Sequence, residues 1–341
     1  MTSTAQTTGP LTITLASDAL EVTITPERGA DIVRLTDRAT GVQTLAVSPT
    51  GDVTPAPFAP SNFVSGDSMV QWTNGYPGGW QLMVPNAGPE RVHDGVAQGY
   101  HGEASLARWT VLEQSATSVT LATSLFTAPL RVERTVALDG ARLTVTDTVT
   151  NLSPEPCSFR LGQHPAFGTP FLDERSYVVT AANTLITDAN APGTLTEADA
   201  VGRPDALLPA GPVPNSVALP GPGSGQALFG VLTDFEPDTA LRDRAGADSA
   251  SATFCSPTHG FGMRISWERA VYPNAWFWIE ANAGSGWPWF KRLFSIAVEP
   301  ANVLPGDGVA ANGRQRGGLG TTLPGGESLV STIRVDRTPL S

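Results

Sequence analysis

No stretch of this chain sustains a helical period for several turns before a glycine or a proline breaks it. With 35 Gly and 29 Pro among 341 residues, the punctuation is too dense for long helices. Between the breaks lie short runs rich in Val, Thr, Leu and Ile, such as Leu20–Thr25, Pro129–Leu138, Ala141–Asn151, Gly262–Glu268 and Leu293–Glu299. Branched side chains in alternating runs bounded by turn residues make strands. The pattern keeps its character along the chain, with no linker and no internal repeat. It predicts one domain over 1–341, an all-β fold built as a large antiparallel β-sandwich with long loops. Residues 1–10 read as a flexible start and 189–225 as a Pro/Gly-rich loop or insertion.

The clearest local element is a hairpin at Asp139-Gly140, a dipeptide that favours tight two-residue turns. Taken as the two turn residues, they set 138 opposite 141 and 134 opposite 145. Arg134 and Asp147 then become diagonal neighbours on the apolar face. Two readings stay open for them: a structural ion pair, or a polar floor beneath a binding site.

Composition narrows the partners. Hydrophobic residues make up 40% and charged residues 16%, enough for a sizeable core. The net charge of −11 repels phosphate backbones and anionic lipid, so neither nucleic acid nor a membrane is an expected partner. No apolar run approaches the roughly 20 residues of a spanning helix. The opening residues MTSTAQTTGP carry neither a basic start nor an apolar run, so no secretory leader is expected and the expected location is cytoplasmic. Cys157 and Cys255 are too few for a disulfide framework and lack metal-site spacing, which leaves them as small buried apolar residues. No metal and no cofactor is expected. The oligomeric state stays open.

Four histidines occur in the chain, and two stand in settings suited to chemistry. His101 follows a Gly-rich loop that also carries Asn86, Arg91 and His93; loops on a rigid sheet are where binding groups gather. His164 lies in Gly162-Gln163-His164-Pro165, read as the end of a strand beginning near Cys157, with Phe167 and Phe171 as a nearby apolar wall. His259 reads as a loop residue. Glu299 ends the apolar run from Leu293, where a carboxylate is expensive unless paired or used. Burial there would raise its pKa toward the range of a general base. Trp276, Trp278, Glu280, Trp287 and Trp289 crowd into one segment. Indoles stack on the C–H faces of sugars, so Trp278 and Glu280 join Asn86 and Arg91 as candidate substrate-binding residues.

Val84-Pro85-Asn86, His101-Gly102, Thr148–Ser153, Gly162–Pro165 and Val298-Glu299-Pro300, in this order, resemble the aldose 1-epimerase (galactose mutarotase-like) family. The resemblance runs from about residue 11 to 336. It implies the galactose mutarotase-like supersandwich and cofactor-free interconversion of the anomers of a free sugar. Carried over by position, Glu299 resembles the family's general base, His164 the acid that protonates the ring oxygen, and His101 the histidine assisting there. The chain departs from the pattern after Pro-Asn. Many members continue directly with a sugar-binding Arg, whereas Ala87 and Gly88 intervene here and make Arg91 a displaced candidate. Asp234, Asp238 and Asp243 are all candidates for the substrate-gripping Asp. Two further functions remain on the same scaffold: a non-catalytic carbohydrate-binding protein, and a sugar lyase or hydrolase with Glu280 as the second acid.

Overall fold

The computed structural model describes residues 12–49, 66–186, 211–238, 248–306, 308–309 and 315–340. Two large antiparallel sheets carry the fold. The first runs Ile13–Ala16, Leu20–Thr25, Asp31–Asp37, Trp80–Met83, Gly162–Gly168, Phe294–Ala301, Asn274–Ala281, Gln226–Phe235, Ala182–Ile186 and Gly211–Pro212, with Val42–Gln43 paired onto Asp31–Asp37. The second runs Ser216–Ala218, Tyr177–Thr180, Ser249–Ser256, Phe261–Glu268, Ser328–Pro339, Arg142–Asn151, Leu130–Asp139, Ser118–Ser124 and Thr110–Gln114. The β-sandwich expected from the sequence is the fold. Among the described residues no helix is long and apolar enough to cross a membrane.

Alternation decides which side chains meet between the sheets. In Leu130–Asp139 and Arg142–Asn151 every second residue is buried, the period of a sheet with one wet face. The central strands of the first sheet are buried on both faces. Their inner row, including Trp80, Leu82, Phe167, Phe277, Ile279, Ile296 and Val298, packs into the sandwich core with Phe254, Phe261 and Ile333 from the second sheet. Their outer row is covered by loops and one short helix, and the candidate site lies there.

The hairpin register differs from the one expected. Leu138 pairs with Leu143 and Arg134 sits directly opposite Asp147. The turn residues are Gly140 and Ala141, between the paired Asp139 and Arg142. Only Gly140 takes positive φ, at 53°, so a glycine at the first turn position suffices and Asp139 stays in the ladder. Arg134 and Asp147 form a buried two-point ion pair, with Nε to Oδ1 at 2.7 Å and Nη2 to Oδ2 at 3.0 Å.

Two boundaries also shift. The strand expected from Cys157 to His164 is two elements in different sheets, Cys157–Phe159 and Gly162–Gly168. His164 and Glu299 consequently lie inside their strands rather than at the ends. Phe167 and Phe171 face the core, stacked on Phe254 and Phe261, instead of walling the site. Cys157 and Cys255 are free and buried. The expected flexible start at 1–10 lies outside the described residues, as does 189–210 of the Pro/Gly-rich segment; 211–225 contributes Gly211–Pro212 and Ser216–Ala218 to the sheets.

Candidate active site

Register builds the site. Gly162 pairs with Ala301 and Ala166 with Ala297, which sets His164 opposite Glu299. Glu299 pairs in turn with Trp276, and His164 with Gln81. One transverse row of the outer face therefore reads Gln81, His164, Glu299, Trp276. The next row carries Ala166, Ala297 and Trp278. Two alanines end at Cβ, and the space above them is filled by Trp72, Tyr76, Trp289 and Leu293.

His164 Nε2 lies 3.7 Å from Glu299 Oε1, too far for a direct hydrogen bond and close enough to share a substrate oxygen. Burial penalises the charged form of each. It raises the Glu299 carboxyl well above the ordinary carboxylate range and lowers His164 to about 4. His101 joins them with its ring centroid 5.6 Å from that of His164. It sits at φ 56° in the loop after Gly99, and its Nδ1 accepts the Gly88 N–H at 3.2 Å. Burial and the neighbouring His164 hold His101 well below the usual imidazole pKa. The neutral ring thus carries its hydrogen on Nε2 and can donate from there.

Aromatic rings pack against both imidazoles, edge-on at His101 and tilted at His164. Trp72 contacts His101 at 4.7 Å and His164 at 5.8 Å between centroids, and Trp278 contacts His164 at 5.6 Å. Together they line a cavity of about 50 Å³, which also meets Tyr100, Phe229, Trp276, Trp289, Gly88, Pro89 and Pro305.

The candidate substrate-binding residues divide. Trp278 lines the cavity. Asn86 is buried behind it, its amide donating to Pro89 O at 2.7 Å and Gly99 O at 2.9 Å, so it closes the loop that presents His101. Arg91 turns outward, donating to Gln98 Oε1, Pro85 O and Gly318 O. Glu280 shares the outer face with Trp276 and Trp278, but its Oε1 accepts the N–H groups of Ala283 and Gly284 at 2.5 and 3.0 Å. Among the aspartates, Asp234 is exposed and bonded to Thr233, and Asp238 pairs with Arg264 and Ser251. Asp243 lies outside the described residues. Trp289 is buried in the site and Trp287 is 47% exposed. His259 sits in a turn, bonded to Pro170 O.

Sequence reasoning missed Trp72, Tyr76 and Phe229. Trp72 and Tyr76 come from a helix, Ser68–Asn74, and its exit turn, inside a segment that reads as loop. The available signal was Asp67, whose Oδ1 caps Met69 N and Val70 N at 2.9 and 3.2 Å. Trp72 Nε1 then anchors on Ser105 Oγ at 3.0 Å, beside the His101 loop. Asp31, fully buried near Arg28 and accepting from Gln81, was also missed; burial pushes its carboxyl up to about 7. No three His, Cys, Asp or Glu among the described residues gather as a metal site would require.

A family model described as a domain of unknown function (DUF4432) matches residues 8–209. The chain belongs to this family. Among curated proteins nothing matches. Solved structures place the DUF4432 chain in a wider fold group. The Slr1438 protein of Synechocystis sp. PCC 6803 aligns with a TM-score of 0.66 at 17% identity, over 99% of this chain and 100% of its own. A putative aldose 1-epimerase from Escherichia coli K12 aligns at 0.62 and 17%, over 97% and 99%. A galactose mutarotase-like protein from Lactobacillus casei ATCC 334 aligns at 0.61 and 20%, over 96% and 100%. At such identities the likeness establishes a galactose mutarotase-like sandwich for this DUF4432 member, and the chemistry has to be argued from its own residues.

Proposed function

We propose that this protein is an isomerase of the aldose 1-epimerase kind, interconverting the anomers of a free sugar by opening and reclosing the ring. The observation that carries the proposal is the convergence of His101, His164 and Glu299, from three separate stretches of chain, on one aromatic-lined cavity.

In the ring-opening step Glu299 takes the proton of the anomeric hydroxyl as the C1–O5 bond breaks and a C1=O1 bond forms. The bond electrons go to O5, which takes a proton from His164, while the His101 Nε2–H donates to the developing charge. Rotation about C1–C2 presents the other face of the aldehyde, and the same transfers in reverse close the ring. Burial favours the uncharged pair, with Glu299 protonated and His164 neutral. That pair and the ionised pair each hold one proton, so a single transfer converts one into the other.

Saturation-transfer NMR on a panel of free aldoses tests the proposal. Accelerated anomer exchange for at least one sugar is expected; binding without acceleration of any would count against it. A second reading, a carbohydrate-binding protein without turnover, draws on the aromatic wall and is separated by the same experiment. Hydrolysis draws less support. Glu280 pairs with Ser295, four positions along the strand from Glu299 or about 13 Å at ~3.3 Å per residue, and its carboxylate is occupied by backbone N–H groups.

A further inference from the structure

Trp72, Trp276, Trp278 and Trp289 all line the described wall of the cavity. A buried indole usually places its N–H on an acceptor. Trp72 Nε1 donates to Ser105 Oγ at 3.0 Å and Trp276 Nε1 to Val303 O at 2.9 Å, so both of those bonds serve the fold. Trp289 differs. Its side chain is 4% exposed, and its Nε1 is buried with no hydrogen-bond partner among the described residues. A donor left in that state costs stability that an aromatic ring without an N–H would not.

The chain also holds this ring inward against resistance. Trp289 lies in the loop between the strands Asn274–Ala281 and Phe294–Ala301. Phe290 and Lys291, directly after it, take φ of 49° and 58°, left-handed values that side chains disfavour. The turn closes through Phe290 N to Gly286 O at 2.8 Å and Lys291 N to Gly284 O at 2.6 Å. Glu280 braces its start by accepting the Ala283 and Gly284 N–H groups. Trp287 and Phe290 are left exposed while Trp289 turns in. There its ring meets Tyr76 edge-on at 5.7 Å, and Tyr76 meets His164 at the same distance. The orphaned donor belongs to a residue one ring away from the proposed acid.

We infer that the Trp289 Nε1–H donates to one non-anomeric hydroxyl of the substrate, which makes Trp289 a specificity-determining residue. This rests on the anomer-exchange reading and deepens it: the substrate class is an aldose with a free hydroxyl at the position this donor reads. An analogue lacking that hydroxyl forfeits the bond with nothing in its place, and the site discriminates against it.

The test is a functional-group cycle. For the aldose whose anomers exchange fastest, saturation-transfer NMR gives kcat/KM for the parent and for each of its monodeoxy analogues, with wild type and Trp289→Phe. In wild type one analogue should fall at least about 10-fold below the parent. In Trp289→Phe the parent should fall by a similar factor, and the ratio of that analogue to the parent should return toward one. Each ratio cancels the amount of active protein. The same deficit in both proteins, or no deficit at any position in wild type, would overturn the inference and leave the isomerase reading standing. Exchange of no aldose would remove that reading instead, and a second measurement then decides the contact without any variant. In wild type the assigned Trp289 indole N–H resonance should move as sugar is added to saturation. A resonance that stays in place with sugar bound would overturn the contact, with or without turnover.

Discussion

Gln163 Oε1 accepts a hydrogen bond from Arg134 Nη2 at 3.1 Å, across the interior of the sandwich. Gln163 Nε2 donates to Asp147 Oδ2 at 2.7 Å, and Trp80 Nε1 also donates to Gln163 Oε1. The buried ion pair of the second sheet is thereby tied to the residue preceding His164. The two sequence readings of Arg134 and Asp147 merge: the pair is structural, and its far end supports the strand that carries a candidate catalytic imidazole.

Breaking that pair from one side leaves a buried charge alone. Asp147→Leu should lower unfolding free energy by about 3–5 kcal/mol in urea titrations, and Arg134→Met with Asp147→Leu should recover most of the loss. A double variant no better than the single would show that Gln163 and Trp80 depend on the charges themselves.

Asp31 predicts a pH dependence of stability. Its carboxyl rises from an ordinary 3.8 to about 7 through burial, so between those values the folded chain holds more protons than the unfolded one. Stability from this group is complete below about pH 4 and is lost as pH rises through about 7. Asp31→Asn mimics the protonated form. It should flatten the decline and leave the variant more stable than wild type at pH 8, by up to about 4 kcal/mol. Parallel melting-temperature profiles for both proteins from pH 4 to 8 would refute this.

Activity should follow the single proton shared by Glu299 and His164. Below about pH 4 the pair takes a second proton and cannot accept another, and above the raised pKa of Glu299 it holds none to give. The kcat/KM profile should therefore hold a plateau between these limits and fall on both sides. A rate climbing steadily through the alkaline range would mean that ionised Glu299 works without a proton on its partner.

Gly102 follows His101 at φ 76°, and a Cβ there would lie 2.6 Å from both Val84 O and Asn86 O. Gly102→Ala must displace backbone beside the imidazole. The expected outcome is a stability loss of about 1–3 kcal/mol and at least a ~10-fold fall in anomer exchange, read by melting and by NMR on the same sample.

Much of this was legible in the sequence, because the fold depends on period-two runs and the proposed reacting groups sit inside motifs. His164 and Glu299 were visible as polar residues in apolar strands. Their opposition across one row depends on pairing between residues more than a hundred positions apart, which local pattern does not encode. The hairpin register slipped because Asp-Gly reads equally as both turn residues or as a pair partner followed by a turn glycine. Trp72 and Tyr76 were hidden because a two-turn helix is too short to show a period, leaving its Asp67 cap as the signal. Asn86, Arg91 and Glu280 have side chains suited to sugar hydroxyls, yet each is drawn to backbone groups by loop closure, a feature visible only in three dimensions.

The most direct test of the account is the anomer-exchange rate of wild type against Glu299→Gln, measured with sugar affinity on the same samples. The account predicts exchange in wild type, its loss by at least ~100-fold in the variant, and affinity within a few-fold of wild type. Undiminished exchange in a folded Glu299→Gln protein would contradict the central claim.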